Sequence, residues 1–273
     1  MPQHKPSRGQ FARSKSPRRW ERPARGGERT PRSDRDTVIL YGWHPVTLAL
    51  GNPKRRIRKL YATENAARRL ADENIALKIA PDIVRPDAIA ARLPPDAVHQ
   101  GLLAEADPLP APTIDTLAVQ GIVLVLDQIT DPHNVGAILR SAAAFAVQAI
   151  VTTQRHSPEA TGVLAKSASG ALEFVPLVTV QNLARGLIEL KHRGFLVVGL
   201  DSAGTDELAA APLREPLALV LGAEGKGLRQ LTRETCHVVA RLDLPGDIKS
   251  LNVSNAAALA LYIVTSRLKK TEA

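Results

Sequence analysis

Six continuous apolar runs, separated by helical segments, dominate the C-terminal half of the chain. The runs are Ile122–Leu126, Ala149–Thr152, Phe174–Val178, Phe195–Leu200, Leu217–Leu221 and Val238–Leu242. A strand that is apolar at every position, instead of at alternate positions, is typical of a sheet buried on both faces. Strands that alternate with helices favour parallel pairing, so this half predicts an α/β domain with a mainly parallel sheet.

Capping residues mark helices between these runs. Ser157-Pro158-Glu159 combines a cap, a proline in the first turn and an early acid, which predicts a helix start. Asn182 predicts the cap of another helix, whose apolar face consists of Leu183, Leu187 and Leu190. A last, long apolar helix is predicted to run to about Ser266.

Residues 37–107 predict a second, smaller α/β module. Its predicted strands are Val38–Tyr41, Arg58–Ala62 and Leu77–Ala80, and its predicted helix is Glu64–Asn74. A basic cluster follows a turn signal in this module and consists of Lys54, Arg55, Arg56, Arg58 and Lys59. The cluster either contacts an RNA backbone or is an ordinary solvated loop. A proline-rich run predicts a linker over residues 108–120, and residues 121–273 then form the larger domain.

Positive charge is concentrated at the N-terminus. The chain has 36 basic and 27 acidic side chains, and residues 1–36 contain 11 of the basic and 4 of the acidic ones. Because this segment has almost no apolar residues, we expect a disordered basic tail that either makes salt-sensitive contacts with nucleic-acid phosphates or has no specific role. No apolar segment follows its basic residues, which argues against a secretory signal and for a cytoplasmic protein.

Composition excludes several classes of protein. Cys236 is the single cysteine, which excludes a disulfide framework and a multi-thiolate metal site. Aromatic residues make up 3% of the chain, which argues against an RRM and against a stacking platform for single strands, because both need exposed rings. No window reaches the roughly 18 apolar residues of a membrane span. The histidines lack metal-ligand spacing, so no metal is expected; His133 is predicted to hydrogen-bond in a loop, and His99 to be structural or RNA-contacting.

Polar or glycine-rich segments follow three of the predicted strands, and ligands of open parallel sheets bind beyond these strand ends. The first segment, Asp131–Ser141, contains Asn134, which is placed to cap a helix. Gly136 and Arg140 lie four residues apart and share a helix face, so a backbone or ligand can approach closely beside the guanidinium.

The second and third segments narrow the ligand class. Gly222–Leu228 departs from the phosphate-binding P-loop, because Lys226 is followed by glycine, and its G-x-x-G-x-G spacing departs from the dinucleotide fingerprint. A dinucleotide oxidoreductase is therefore disfavoured, and a glycine loop with one acidic residue suits backbone contacts with a small ligand. Ser250–Ser254 places three short polar side chains at a helix start, more than capping requires.

Together, these three segments resemble the three ordered motifs of SpoU-type (TrmH-like) RNA ribose 2′-O-methyltransferases, over about residues 120–268. The N-terminal module is similar to the small RNA-binding domain of that family, including its closing Ala97-Val98-His99-Gln100-Gly101. The ordered chain most resembles the branch that methylates guanosine in bacterial large-subunit ribosomal RNA.

The resemblance implies a C-terminal trefoil knot, S-adenosylmethionine as the cofactor, RNA as the substrate and a homodimer. The positions that it assigns to cofactor contact are Gly222, Leu242, Leu251 and Leu200. The positions that it assigns to catalysis are Arg140, Asn134, Glu224, Ser250 and Asn252. In this assignment Arg140 activates the hydroxyl, Glu224 braces the site and the others orient the reacting groups.

Elementary chemistry leaves the role of Arg140 open. Arginine has a reference pKa above about 12, so a base role requires strong stabilisation of the neutral form. A charged clamp on the phosphate of the target is the other role. Two alternative functions also stay open: the same reaction on transfer RNA, and a non-catalytic RNA-binding or ribosome-assembly factor.

Overall fold

Two sheets organise the part of the chain that the computed structural model describes, which comprises residues 37–154, residue 164 and residues 167–271. The predicted basic tail and the helix start at Ser157–Glu159 lie outside the described residues. Among the described helices, none combines the length and apolar character needed to cross a bilayer.

The first sheet has four strands, β1 (Val38–Tyr41), β2 (Ile57–Ala62), β3 (Asp82–Ile83) and β4 (Leu102–Ala106), in the order β1-β4-β2-β3. Its helices are α1 (Trp43–Gly51), α2 (Glu64–Asp72) and α3 (Pro86–Ala90). Strand β4 pairs antiparallel with both of its neighbours, and β2 pairs parallel with β3. The predictions of β1, β2 and α2 are confirmed, whereas the sequence analysis did not identify β4.

The predicted strand Leu77–Ala80 is wrong, because β3 begins at Asp82 and has only two residues. Leu77 is 44% exposed. The Lys78 ammonium donates to the carbonyl oxygens of Asn52 and Arg55. Side-chain bonds of Lys78 to backbone carbonyls, in place of a strand ladder, therefore attach this apolar stretch to the loop before β2.

The second sheet has seven strands that all pair parallel, in the order β7-β6-β5-β10-β8-β11-β9. They are β5 (Ile122–Asp127), β6 (Ala149–Thr153), β7 (Leu177–Val180), β8 (Leu196–Leu200), β9 (Asp206–Glu207), β10 (Leu217–Gly222) and β11 (Val238–Arg241). The helices of this part are α4 (Pro132–Ala144), α5 (Leu183–His192), α6 (Gln230–Thr235) and α7 (Val253–Thr271).

Both faces of the larger sheet are buried, which confirms the prediction from its apolar strands. Within β5, Leu124 belongs to the same apolar cluster as Ile138 of α4 and Ala257 of α7. The next residue, Val125, belongs to the opposite cluster, with Leu187 of α5. Successive side chains of one strand point to opposite faces of the sheet. A strand that is apolar at every position therefore packs against the helices on both faces.

Two predicted elements have an end that is displaced by three or more residues. Strand β7 begins at Leu177 instead of Phe174, because Pro176 lacks an amide hydrogen for the ladder and a 3₁₀ turn over Ala171–Glu173 precedes it. Helix α7 continues to Thr271, beyond the predicted end at Ser266. The predicted cap at the start of α5 is confirmed, since the Asn182 side chain accepts a hydrogen bond from the amide of Arg185 at 3.1 Å.

Candidate active site

A glycine-rich loop leaves the central strand β10 between two buried carboxylates. In the sheet, β10 lies between β5 and β8, and Gly222 at its end pairs with Asp127 at the end of β5. Asp201 directly follows β8 on the other side of the loop. The sheet order therefore brings two acidic residues, distant in sequence, to both sides of the loop Gly222–Leu228.

Asp201 holds the end of this loop through charge-assisted hydrogen bonds. Its carboxylate accepts from the amides of Leu228 and Ala203 and from the guanidinium of Arg233, each at 2.9 Å. Burial alone would raise the pKa of this carboxyl, but the two amides and Arg233 outweigh burial, so the pKa lies below its usual value. Asp201 is thus a carboxylate whose charged form is bonded to the loop.

Asp127 makes the corresponding contacts on the other side. Its side chain, which is fully buried, accepts from the backbone amide of Arg229 at 3.0 Å and from the Nε of the same residue at 2.6 Å. The sequence analysis missed both acidic residues. In both cases the sequence places an aspartate directly after a continuous apolar run. An acidic residue at the end of a buried strand is the signal that could have identified them.

Gly227 allows the loop to close against Asp201. Its φ is 65°, and a Cβ at this position would lie 2.6 Å from the Asp201 Oδ2 atom. The amide of Gly227 also donates to the carbonyl of Ala223 at 2.9 Å. Both the left-handed backbone and the close approach exclude a larger residue here.

A cavity of about 240 Å³ opens between this loop and the segment that precedes α7. All four residues assigned to cofactor contact line it, namely Leu200, Gly222, Leu242 and Leu251. Glu224 and Ser250, two of the residues assigned to catalysis, line it as well. The wall therefore combines apolar side chains, peptide groups of a glycine loop and two carboxylates, those of Glu224 and Asp201.

Asn134 and Asn252 join the starts of two helices beside this cavity. The Asn252 amide donates to the Asn134 Oδ1 atom at 3.0 Å, and its own Oδ1 accepts from the amide of Ser254 at 2.9 Å. Asn252 therefore caps α7. The expectation that Asn134 caps α4 is wrong, because the cap is Asp131, which accepts from the amide of His133 at 3.0 Å. Because Asp131 caps α4, the Asn134 side chain is free to accept the hydrogen bond from Asn252 at the start of α7.

Arg140 does not reach the cavity that Glu224 and Ser250 line. It lies six residues after Asn134 on α4, which is about 9 Å along the helix axis. Its side chain is exposed and lines a separate cavity of about 300 Å³. Within one copy of the chain, the five assigned catalytic residues therefore fall into three places: the cofactor-side cavity, the asparagine pair and the face of Arg140.

Gly136 shows why small residues occur on α4. A Cβ at this glycine would lie 2.3 Å from the Cβ of Ser167, so the backbone of the neighbouring segment packs directly on the helix. The close backbone approach predicted for this position is confirmed. His133 lies one turn earlier in α4, so its predicted place in a loop is wrong; its Nδ1 atom lies 3.4 Å from the Ser167 hydroxyl.

Part of the basic cluster is structural and does not form an open surface. Arg55 is buried, with its guanidinium 2.6 Å from the Glu173 carboxylate, and Arg58 pairs with Asp107. Burial excludes Arg55 from RNA contact, whereas the side chain of Arg58 is paired with an acid but is 25% exposed. Lys54, Arg56 and Lys59 stay exposed.

The closing motif of the smaller module is also structural. The Gln100 side chain accepts from the amide of Trp43 at 2.8 Å, and the His99 Nδ1 atom accepts from the amide of Gly101 at 3.1 Å.

No group of three or more histidine, cysteine or acidic side chains is placed to hold a metal ion within the described residues.

Both the larger and the smaller part of the chain match models of known protein families. Residues 121–262 match the model of the SpoU rRNA methylase family, and residues 39–112 match that of the RNA 2′-O ribose methyltransferase substrate-binding domain. The 23S rRNA (guanosine-2′-O-)-methyltransferase RlmB of Ralstonia nicotianae is 39% identical over 232 residues, which cover 82% of this chain and 93% of the relative. The protein of the same name from Pseudomonas putida is 36% identical over 234 residues, covering 82% and 94%.

Solved structures share the fold. The SpoU methyltransferase AviRb from Streptomyces viridochromogenes matches with a TM-score of 0.74 at 22% identity, covering 87% of this chain and 91% of the other. A putative RNA methyltransferase of the TrmH family from Porphyromonas gingivalis matches with a TM-score of 0.70 at 26% identity, covering 85% and 91%. The family model and the relatives above 30% identity confirm the resemblance drawn from the three motifs: the chain belongs to the SpoU rRNA methylase family.

Proposed function

We propose that this chain transfers a methyl group from S-adenosylmethionine to the ribose 2′-hydroxyl of a guanosine in large-subunit ribosomal RNA. One observation carries the proposal: four residues assigned to the cofactor meet two assigned to catalysis in a single cavity at the carboxyl end of the sheet. Relatives that align over 82% of the chain are 23S rRNA guanosine methyltransferases, which supports the choice of RNA.

The cavity suits the proposed cofactor. Leu200, Leu242 and Leu251 offer apolar surface to an adenine ring, and Leu251 is 37% exposed. The peptide groups of the glycine loop offer donors and acceptors for the edge of the ring, and Glu224 offers a carboxylate to a cationic ligand. When bound, S-adenosylmethionine supplies a methyl group on a positively charged sulfur.

The residues of the chain would then position and stabilise the hydroxyl. The bond between Asn134 and Asn252 fixes two amide groups beside the cavity, and the Ser250 hydroxyl lies in its wall. Because arginine keeps its proton, we assign to Arg140 the electrostatic role, in which the guanidinium holds a phosphate of the RNA near the reacting ribose. Holding the hydroxyl in line with the methyl group supplies the entropic part of catalysis.

A homodimer in the cytoplasm is part of the proposal. Leu259 and Tyr262 lie three residues apart on α7 and expose 38% and 61% of their surfaces, which supports an apolar contact with a second copy. Analytical ultracentrifugation of the full chain tests this, and a monomer at micromolar concentration would contradict it.

The decisive experiment is a ribose-methylation map of ribosomal and transfer RNA from cells with and without the gene. We expect one 2′-O-methylguanosine in large-subunit RNA to disappear and to return with the wild-type gene. Loss of a transfer-RNA methyl group instead would favour the same chemistry on that RNA. If all methyl groups persist, and the purified protein with S-adenosylmethionine methylates no RNA, the non-catalytic binding role would replace the proposal.

Complementation with Arg140→Ala separates chemistry from cofactor binding. Arg140 lies outside the cavity that holds the cofactor residues, so the variant should bind S-adenosylmethionine as the wild type does in calorimetry. The methyl group should nevertheless stay absent from the map. Full methylation by Arg140→Ala would remove Arg140 from the mechanism.

A further inference from the structure

An exposed aromatic ring lies beside Arg140 and has no place in the site described so far. Phe174 follows the 3₁₀ turn over Ala171–Glu173 and exposes 64% of its surface, whereas Phe195 is fully buried. One exposed phenylalanine needs no explanation by itself. The polar and charged residues around Phe174 indicate a function for the exposed ring.

Phe174 and Arg140 line the same cavity of about 300 Å³, which lies where the two sheets meet. The wall on the side of the smaller sheet comes from His44 and Leu48 of α1. The cavity therefore offers a flat apolar ring, a guanidinium and an imidazole. Among the described residues that line it, none is acidic.

A buried ion pair fixes the two sides of this cavity to each other. The side chains of Arg55 and Glu173 are 4% and 2% exposed, and the Arg55 Nη2 atom lies 2.6 Å from the Glu173 Oε1 atom. Asn52 also donates to Glu173 at 2.7 Å, and Arg55 donates to the carbonyl of Asp107 at 2.8 Å. The residue directly before Phe174 is thus bonded to the loop that precedes β2, which sets the position of the ring.

The loop that contributes Arg55 to this ion pair also carries two exposed cations. Lys54 and Arg56 flank the buried Arg55 in sequence, and both have exposed side chains, although Arg56 lies 3.9 Å from the Asp107 carboxylate. Glu173, the nearest acid in sequence, is neutralised by Arg55. An exposed aromatic ring and the Arg140 guanidinium in one cavity form the arrangement by which proteins hold unpaired nucleotides, since the ring stacks on a base and the cation meets a phosphate.

We propose that this cavity binds a nucleotide of the RNA substrate that flanks the methylated one, with the Phe174 ring stacked on its base and Arg140 on its phosphate. The inference rests on the proposed function and assigns it a second RNA contact. The offset of about 9 Å along α4 between Asn134 and Arg140 is the reason for choosing a flanking nucleotide over the reacting one.

The test compares full-length Phe174→Ala, Phe174→Trp and a matched control, Leu231→Ala, whose side chain is 58% exposed on α6. Two measurements are made: equilibrium binding of a short single-stranded RNA oligonucleotide, and the KM and kcat for methylation of unmodified large-subunit RNA. Loss of one stacked base should weaken binding and raise the KM by about 5- to 100-fold. Phe174→Trp should restore both, and Leu231→Ala should equal the wild type. Affinity for S-adenosylmethionine should stay unchanged in all three.

The outcomes separate this inference from the function on which it rests. If the wild type methylates RNA and Phe174→Ala equals it in binding and KM, only the stacking contact is overturned. If the wild type neither binds nor methylates RNA, both proposals fail. If Phe174→Ala instead changes the mass of the protein in ultracentrifugation, the ring belongs to a contact between copies, and the inference is wrong.

Discussion

The strongest quantitative prediction concerns Asp201, the carboxylate that holds the end of the glycine loop. Replacement by alanine leaves the amide of Leu228 without its acceptor, and Leu228 is only 3% exposed. An unsatisfied buried amide costs about 1 to 3 kcal/mol. The other partners contribute less, because Ala203 is exposed and the side chain of Arg233 is 43% exposed and can turn to water.

This cost should appear in the affinity for S-adenosylmethionine, because the loop forms part of the wall of the cavity. A penalty near the middle of that range corresponds to a Kd raised by about 10- to 30-fold in calorimetry of Asp201→Ala. Asp201→Asn should lie closer to the wild type. Its carbonyl can still accept from Leu228 and Arg233, while its NH₂ group faces only the exposed amide of Ala203.

The pH dependence supplies an independent check on the same residue. Because its pKa is lowered in the folded protein, Asp201 contributes stability that is present above the usual aspartate range and lost as pH falls through the folded value. The difference in unfolding free energy between the wild type and Asp201→Asn should therefore shrink below about pH 4. Glu73→Ala is the control, since it removes only an exposed pair with Arg69. If Asp201→Ala stays folded and binds the cofactor within about twofold of the wild type, the carboxylate does not hold the loop.

Three further predictions test other parts of the fold. Arg55→Met should lower the free energy of unfolding in urea by about 3 to 5 kcal/mol, because it leaves Glu173 buried without its partner; a loss below about 1 kcal/mol, the range of an exposed pair, would contradict the burial. Burial raises the pKa of Cys236 to about 12, so iodoacetamide near pH 8 should label the protein only after unfolding, and rapid labelling of the native chain would refute this. Gly136→Ala should lower stability by about 1 to 3 kcal/mol, because its Cβ would overlap Ser167; a melting temperature equal to that of the wild type would refute the close packing.

Periodicity and motif spacing predicted the elements of the larger sheet well, because an unbroken run of apolar residues indicates a strand that is buried on both faces. They could not predict the neighbours of each strand. Asp127 and Asp201 are separated by more than seventy residues, and only the order β5-β10-β8 shows that both act on one loop. A local pattern also misled where a side chain made the decisive bond: Lys78 replaced a strand ladder, and Asp131 took the cap expected of Asn134.

Helix α4 explains how the two cavities can serve one substrate. Its thirteen residues begin at the asparagine pair beside the cofactor cavity and reach Ala143 in the wall of the cavity where the sheets meet. Since helix geometry fixes the rise per residue, the offset between Asn134 and Arg140 is set by the backbone and does not depend on a flexible loop. Close packing at Gly136 and the buried pair of Arg55 with Glu173 hold the two ends of this arrangement in place. A substitution that tilts α4 should therefore impair methyl transfer without altering any residue that touches the cofactor.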